Sequence, residues 1–210
     1  MTEPDVTLTD YGLTIECAVL AFLLYCYGDR SASLRPWFTL FFASIGAAAL
    51  GGGTVHGFFS DTETLGYRIL WPSTLIAAGL TAMATWIIGA KLWLSEKLAR
   101  TISMLAIFEF AVYSIMVLFF TQSFFLVVVN YLPATLFLLT IFYLLYSHMR
   151  APELRAGFAG LVLTFVAAAV QIAGIPLHPI YFSHNALYHV IQAIALLMIF
   201  RAARWLIQRR

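Results

Sequence analysis

Charge is what this sequence has least of. Asp, Glu, Lys and Arg make up 10% of its 210 residues, whereas soluble domains carry about 25%. With 62% apolar residues and a mean hydropathy of +0.89, too few polar side chains are left to cover a water-facing surface. An ordinary soluble domain is excluded, and lipid must solvate most of the chain. Twelve basic against ten acidic residues give a net charge of +2, with no dense basic run interleaved with aromatics to track a phosphate backbone. Nucleic acid is therefore not an expected partner. The two cysteines, Cys17 and Cys26, lie on opposite faces of one predicted helix, too distant to bridge. No soluble domain, low-complexity tract or internal repeat fits the remainder. The N-terminal residues Met1 to Asp10 have no basic residue, so they lack the n-region of a secretory signal peptide and the first span is read as uncleaved.

What is present is a series of long apolar stretches. A spanning helix needs roughly 20 mainly apolar residues, and seven such stretches occur, at 8–27, 36–57, 67–90, 98–119, 122–146, 156–174 and 184–204. Breaker and charge signals separate them, among them Gly28-Asp29-Arg30, Ser60-Asp61-Thr62-Glu63 and Ile175-Pro176-Leu177-His178-Pro179. The expectation is an all-α fold, a single seven-helix transmembrane domain over residues 1–210. Basic residues divide between alternate loops eleven to one, with Arg68 alone on the minority side. By the positive-inside rule this puts the N-terminus outside and the C-terminus in the cytoplasm of a plasma (inner) membrane.

Polar side chains at membrane depth are costly unless paired or wetted, so each is a candidate functional residue. Counting about 1.5 Å per residue, Glu16 and Asn130 lie roughly 12 Å below the outer face and His189 about 8 Å, with Glu109 near the midplane. His56 closes the second span after Gly51-Gly52-Gly53, a run that allows close helix packing. Gln171 ends the sixth span, and His178 and His184 precede or open the seventh. Four of the five histidines thus gather on the outer side. Asn185, His189 and Gln192 share one helical face. His184 is about 140° away from His189, so it joins only if it stands at a frayed or capped helix start, for which Ser183 and Asn185 are suited.

Three imidazoles from two helices would suit zinc, which in catalytic sites takes three protein ligands and a water. His56, His184 and His189 are the candidate ligands, and Glu16, Asp61, Glu63 or Glu109 the candidate acceptors or general bases, Asp61 and Glu109 foremost. Taken singly, each histidine also has a structural reading among headgroups, and Asn130, Gln171 and Gln192 one as bonds between helices.

These residues resemble the superfamily of seven-helix membrane proteins that contains the alkaline ceramidases and the progestin and adiponectin receptors. That family places Ser-x-x-x-His at the end of its second helix, an Asp shortly after, and His-x-x-x-His at the start of its seventh. Here the second span ends Gly52-Gly53-Thr54-Val55-His56, and the seventh opens Ser183-His184-Asn185-Ala186-Leu187-Tyr188-His189. His56 and His189 match the pattern. Asn185 stands in place of the first histidine of the pair, Gly52 in place of the serine, and Asp61 follows His56 by five residues. The resemblance implies zinc-dependent hydrolysis of a lipid amide delivered by the bilayer. The alternative is a non-enzymatic binder of a lipid or small ligand that has lost part of the metal site. A transporter using Glu16 and Glu109 as relays is the weakest reading, since little continues the path through the cytoplasmic halves. A retinal Schiff base is excluded because neither Lys91 nor Lys97 lies in the seventh span.

Overall fold

A computed structural model describes residues 1–27, 33–178 and 181–208. Its helices are α1 (Pro4–Tyr27), α2 (Arg35–Phe58), α3 (Leu65–Trp93), α4 (Glu96–Phe119), α5 (Phe124–Met149), α6 (Pro152–Ile172) and α7 (His184–Gln208). All seven are long and apolar enough to cross a membrane, so the chain is a multi-pass membrane protein. Arg30, Pro179, Arg209 and Arg210, which entered the sequence argument, lie outside the described residues.

Most boundaries fall within a turn of expectation, and each departure has a local cause. α1 begins four residues early: Pro4 needs no N–H partner at a helix start, and Asp5 complements the positive end of the helix dipole. Residues read as a polar tail are therefore a further turn of helix. α5 begins at Phe124 rather than residue 122, because Ser123 accepts the backbone N–H of Phe125 (3.3 Å) and ends the turn before it. α6 stops at Ile172, ahead of Gly174, whose φ of +64° suits glycine.

Six helices close a ring in the order α1, α2, α3, α5, α6, α7 and back to α1, with α4 packed outside it against α3. In hydrocarbon there is no hydrophobic drive between helices, so association rests on close packing and polar contacts. The α1–α2 seam shows how close. Thr7, Asp10 and Cys17 lie along one face of α1, opposite Gly57, Gly53 and Gly46 of α2. A Cβ on Gly53 would stand 2.6 Å from the Cβ of Asp10, and one on Gly57 would stand 2.8 Å from Thr7 Oγ1. Gly51 serves α3 in the same way, toward Thr74.

The two ends of the ring are filled differently. At the end away from the N-terminus, Leu24, Phe38, Phe42, Phe142, Leu145, Leu154 and Ile199 form one buried cluster. Phe42 meets Phe200 edge-on at 6.0 Å, and Gly157 makes room for the Phe142 ring. At the N-terminal end the ring encloses a cavity instead, lined by small and polar residues such as Gly52, Thr74, Ala78 and Asp10 together with aromatics such as Trp71 and Tyr188. Outward-facing Ile15, Phe22, Phe108, Val112 and Leu197 form the exposed apolar surface expected of a lipid-facing bundle. Cys17 is buried, Cys26 is exposed, and both are free.

Gly53→Ala should lower stability by about 1–3 kcal/mol, the usual cost of forcing a methyl group into a filled seam. Gly12→Ala, whose added Cβ would meet nothing within 4 Å, should be neutral or slightly stabilising. Thermal unfolding in detergent checks the pair, and equal midpoints would contradict the packing described.

Candidate functional site

The cavity has a volume of about 440 Å³ and draws its wall from α1, α2, α3, α5, α6 and α7. This size is within the usual range for small-molecule sites. Its N-terminal end is polar, with Asp10, His56, Gln171, Asn185, Tyr188 and His189. Toward the interior the wall is mainly apolar, with Leu13, Ile45, Leu75, Leu132 and Phe165 among its members, interrupted by Thr81, Thr135, Thr164 and Gln192.

Asp10 and His189 are the centre of the polar end. The glycine seam brings α1 close to α2, and Asp10, only 5% exposed, then faces the first turns of α7. His189 Nε2 lies 3.2 Å from Asp10 Oδ1, with both side chains nearly buried. Its other nitrogen, Nδ1, lies 3.0 Å from Thr9 Oγ1. The Thr9 hydroxyl has backbone acceptors at Asp5 (2.8 Å) and Val6 (3.0 Å). With its hydrogen donated there, its lone pair receives the Nδ1–H of His189. That assignment leaves one proton between Nε2 and the Asp10 carboxyl, held by imidazolium beside carboxylate or by neutral acid beside neutral ring. Either form satisfies both groups, which burial without a partner would not.

The start of α7 is held by the same part of α1. Asp5 accepts the backbone N–H of Ser183 (2.8 Å), and Ser183 caps the helix by accepting from Ala186 N (3.3 Å). Gln171 donates to Asn185 Oδ1 (3.2 Å), and Gln192 donates to Thr164 Oγ1 (3.4 Å), so both glutamines tie α6 to α7. Asn185, His189 and Gln192 all line the cavity, as their shared face requires.

His56 also lines the cavity, at its rim. Its Nδ1 lies 3.2 Å from Glu3 Oε2, and both side chains are about one-third or more exposed. The structure thus brings His56 and His189 to one cavity. His184 opens α7 but is not part of the cavity wall. Among the described residues, no group of three His, Cys, Asp or Glu side chains is placed to hold a metal ion. Asp61 lies in the exposed α2–α3 loop, where its carboxylate accepts the backbone N–H of Glu63 (3.0 Å). Glu109 is on α4, outside the ring, and its Oε2 is buried without a hydrogen-bond partner. Glu16 Oε1 and Asn130 Nδ2 are likewise buried and unpartnered, away from the cavity wall. His178 sits in the α6–α7 connection, its ring tilted against that of Tyr181 at 4.9 Å.

Sequence reasoning missed Asp10 and Thr9 because both fall at the very start of the first span, 8–27, where polar residues read as the junction with the N-terminal tail. The available signal was the spacing of Thr7, Asp10, Thr14 and Cys17, which continues a helical stripe of small or polar residues upstream of the apolar run.

Residues 6–208 match DUF6962, a family of unknown function. The chain belongs to that family. The match takes in every helix of the ring and the Asp10–His189 contact. No curated protein and no solved structure matches the chain.

A double-mutant cycle of Asp10→Ala and His189→Ala should show a coupling of about 1 kcal/mol or more, since each single change orphans a buried partner. The more exposed Glu3 and His56 pair should couple by less than about 0.5 kcal/mol. Unfolding free energies in detergent micelles measure both, and equal couplings would contradict the difference in burial.

Proposed function

We propose that the protein binds an amphipathic lipid or small ligand within its ring of helices, without turning it over. The carrying observation is the cavity itself: charged and amide groups gather at its N-terminal end, and the rest of the wall is mainly apolar, interrupted by Thr81, Thr135, Thr164 and Gln192. Such a wall is complementary to a molecule with one polar end and one apolar end. The engagement of both His189 nitrogens by Thr9 and Asp10 supports binding over metal-dependent chemistry, because a ligating imidazole must free one nitrogen for the metal.

A second reading, hydrolysis of a lipid amide with zinc, draws support from His56 and His189 lining the same cavity. It requires a further ligand, and His184 would have to turn toward the cavity to supply it.

The distribution of basic residues supports an orientation with the cavity at the outer face. Arg35, Lys91, Lys97, Arg100, Arg150, Arg155, Arg201 and Arg204 all belong to the end opposite the N-terminus, which the positive-inside rule assigns to the cytoplasm of a plasma (inner) membrane. A Thr62→Cys variant in the α2–α3 loop should react with an impermeant maleimide added to intact cells. Labelling only after lysis would reverse the orientation.

Ligand binding is tested by mass spectrometry of lipid carried through purification. Wild-type protein should retain a bound amphiphile that Ala168→Trp, which fills the cavity wall, largely loses while remaining folded. Equal retention would contradict the binding reading. Stoichiometric zinc in the wild type, with lipid-amide turnover abolished by His56→Ala, would establish the second reading in its place.

A further inference from the structure

One turn below the Asp10–His189 contact, the cavity wall has an acceptor with nothing to accept. Gln192 is 5% exposed and lines the cavity, and its Oε1 has no hydrogen-bond partner. Its Nε2 donates to Thr164 Oγ1. The hydroxyl of Thr164 in turn donates to the carbonyl of Gly160 (3.2 Å), which accounts for the amide orientation: with its hydrogen placed there, Thr164 Oγ1 offers a lone pair that Nε2–H, and not Oε1, can meet. Thr135, on the α5 wall of the same cavity, donates its hydroxyl hydrogen to Tyr131 O (2.9 Å). Gln192 Oε1 therefore stands at the cavity wall as an unfilled acceptor, beside a Thr164 hydroxyl whose hydrogen is already placed, with Thr135 on the α5 wall likewise having donated its own.

Among the described residues, no lysine or arginine lines the cavity. An anionic group beside Gln192 Oε1 would meet that lone pair with no lysine or arginine to offset its desolvation. A cation would need a free carboxylate, and Asp10 is engaged by His189. An uncharged donor meets neither obstacle.

Building on the binding reading above, we infer that Gln192 forms, with Thr164 and Thr135, a subsite for a hydroxyl group of a neutral amphiphile. It lies three residues, about 4.5 Å along the helix, below His189. A hydroxyl there donates to Gln192 Oε1 and gives the orphaned acceptor its partner, while the apolar wall takes the chain.

The test compares three probes of equal chain length against purified protein in nanodiscs: tetradecanol, methyl tetradecyl ether and tetradecanoate. Tetradecanol should bind about tenfold more tightly than the ether, which lacks only the donor, since one buried hydrogen bond is of that size. Tetradecanoate should bind more weakly than tetradecanol. Gln192→Leu should erase the preference for the alcohol over the ether, and measurable binding of the ether to the variant shows that the cavity is intact. The wild-type comparison decides the matter even where that variant fails to fold. Equal affinity for alcohol and ether, or tighter binding of tetradecanoate, overturns the subsite while leaving the binding reading standing. Failure of all three probes to bind overturns both.

Discussion

A carboxylate and an imidazole buried side by side tie the first helix of this protein to its last. In a hydrocarbon environment neither Asp10 nor His189 tolerates burial alone, and their contact at 3.2 Å satisfies both. Because α1 and α7 are the ends of the helix series, this contact closes the ring. It depends on the glycine seam of α2, which lets α1 approach closely enough for Asp10 to face inward. Asp5 at the start of α7 and Thr9 on His189 strengthen the same junction. The cavity lies at this end of the ring, where these groups close it.

The opposite end behaves as an ordinary packed interior. Phenylalanines from α2 and α5 interdigitate with leucines and isoleucines from α6 and α7, and the helices have no room between them. One sequence thus builds two halves with different tasks. The packed half fixes the spacing of the helices, and with it the separation of the helices around the cavity. Polar contacts across the open half, such as Gln171 with Asn185 and Gln192 with Thr164, set the rotation of α6 against α7. These turn the polar face of α7 toward the cavity.

Hydropathy made the seven spans legible, because hydrocarbon thickness imposes a length that apolar runs must meet. The shared face of Asn185, His189 and Gln192 was legible for a similar reason, since helical periodicity is fixed. The start of α1 was not. Its first turns carry Thr7, Thr9 and Asp10, whose polarity reflects partners rather than water, and a hydropathy window reads such residues as tail or as the edge of a span. The order of helices around the ring, with α4 excluded, depends on which surfaces are small enough to meet and leaves no trace in span lengths. That order separates Glu109 from the cavity, and a loop turn separates Asp61 from it. His56 and His189 were joined by pattern and also share a cavity. Their neighbours Glu3 and Asp10, which decide what the imidazoles can do, came from a stretch to which no pattern assigned a role.

The account turns on His189 being held at both ring nitrogens by α1. Nitrogen-detected NMR of protein labelled only at histidine tests this most directly. The expected spectrum contains one imidazole shielded from solvent exchange, with its Nδ1 protonated, whose Nε2 signal shifts on Asp10→Asn and stays in place on Glu3→Gln. If all five histidines exchange freely with solvent, or if none responds to Asp10→Asn, the first and last helices are not joined in the manner described.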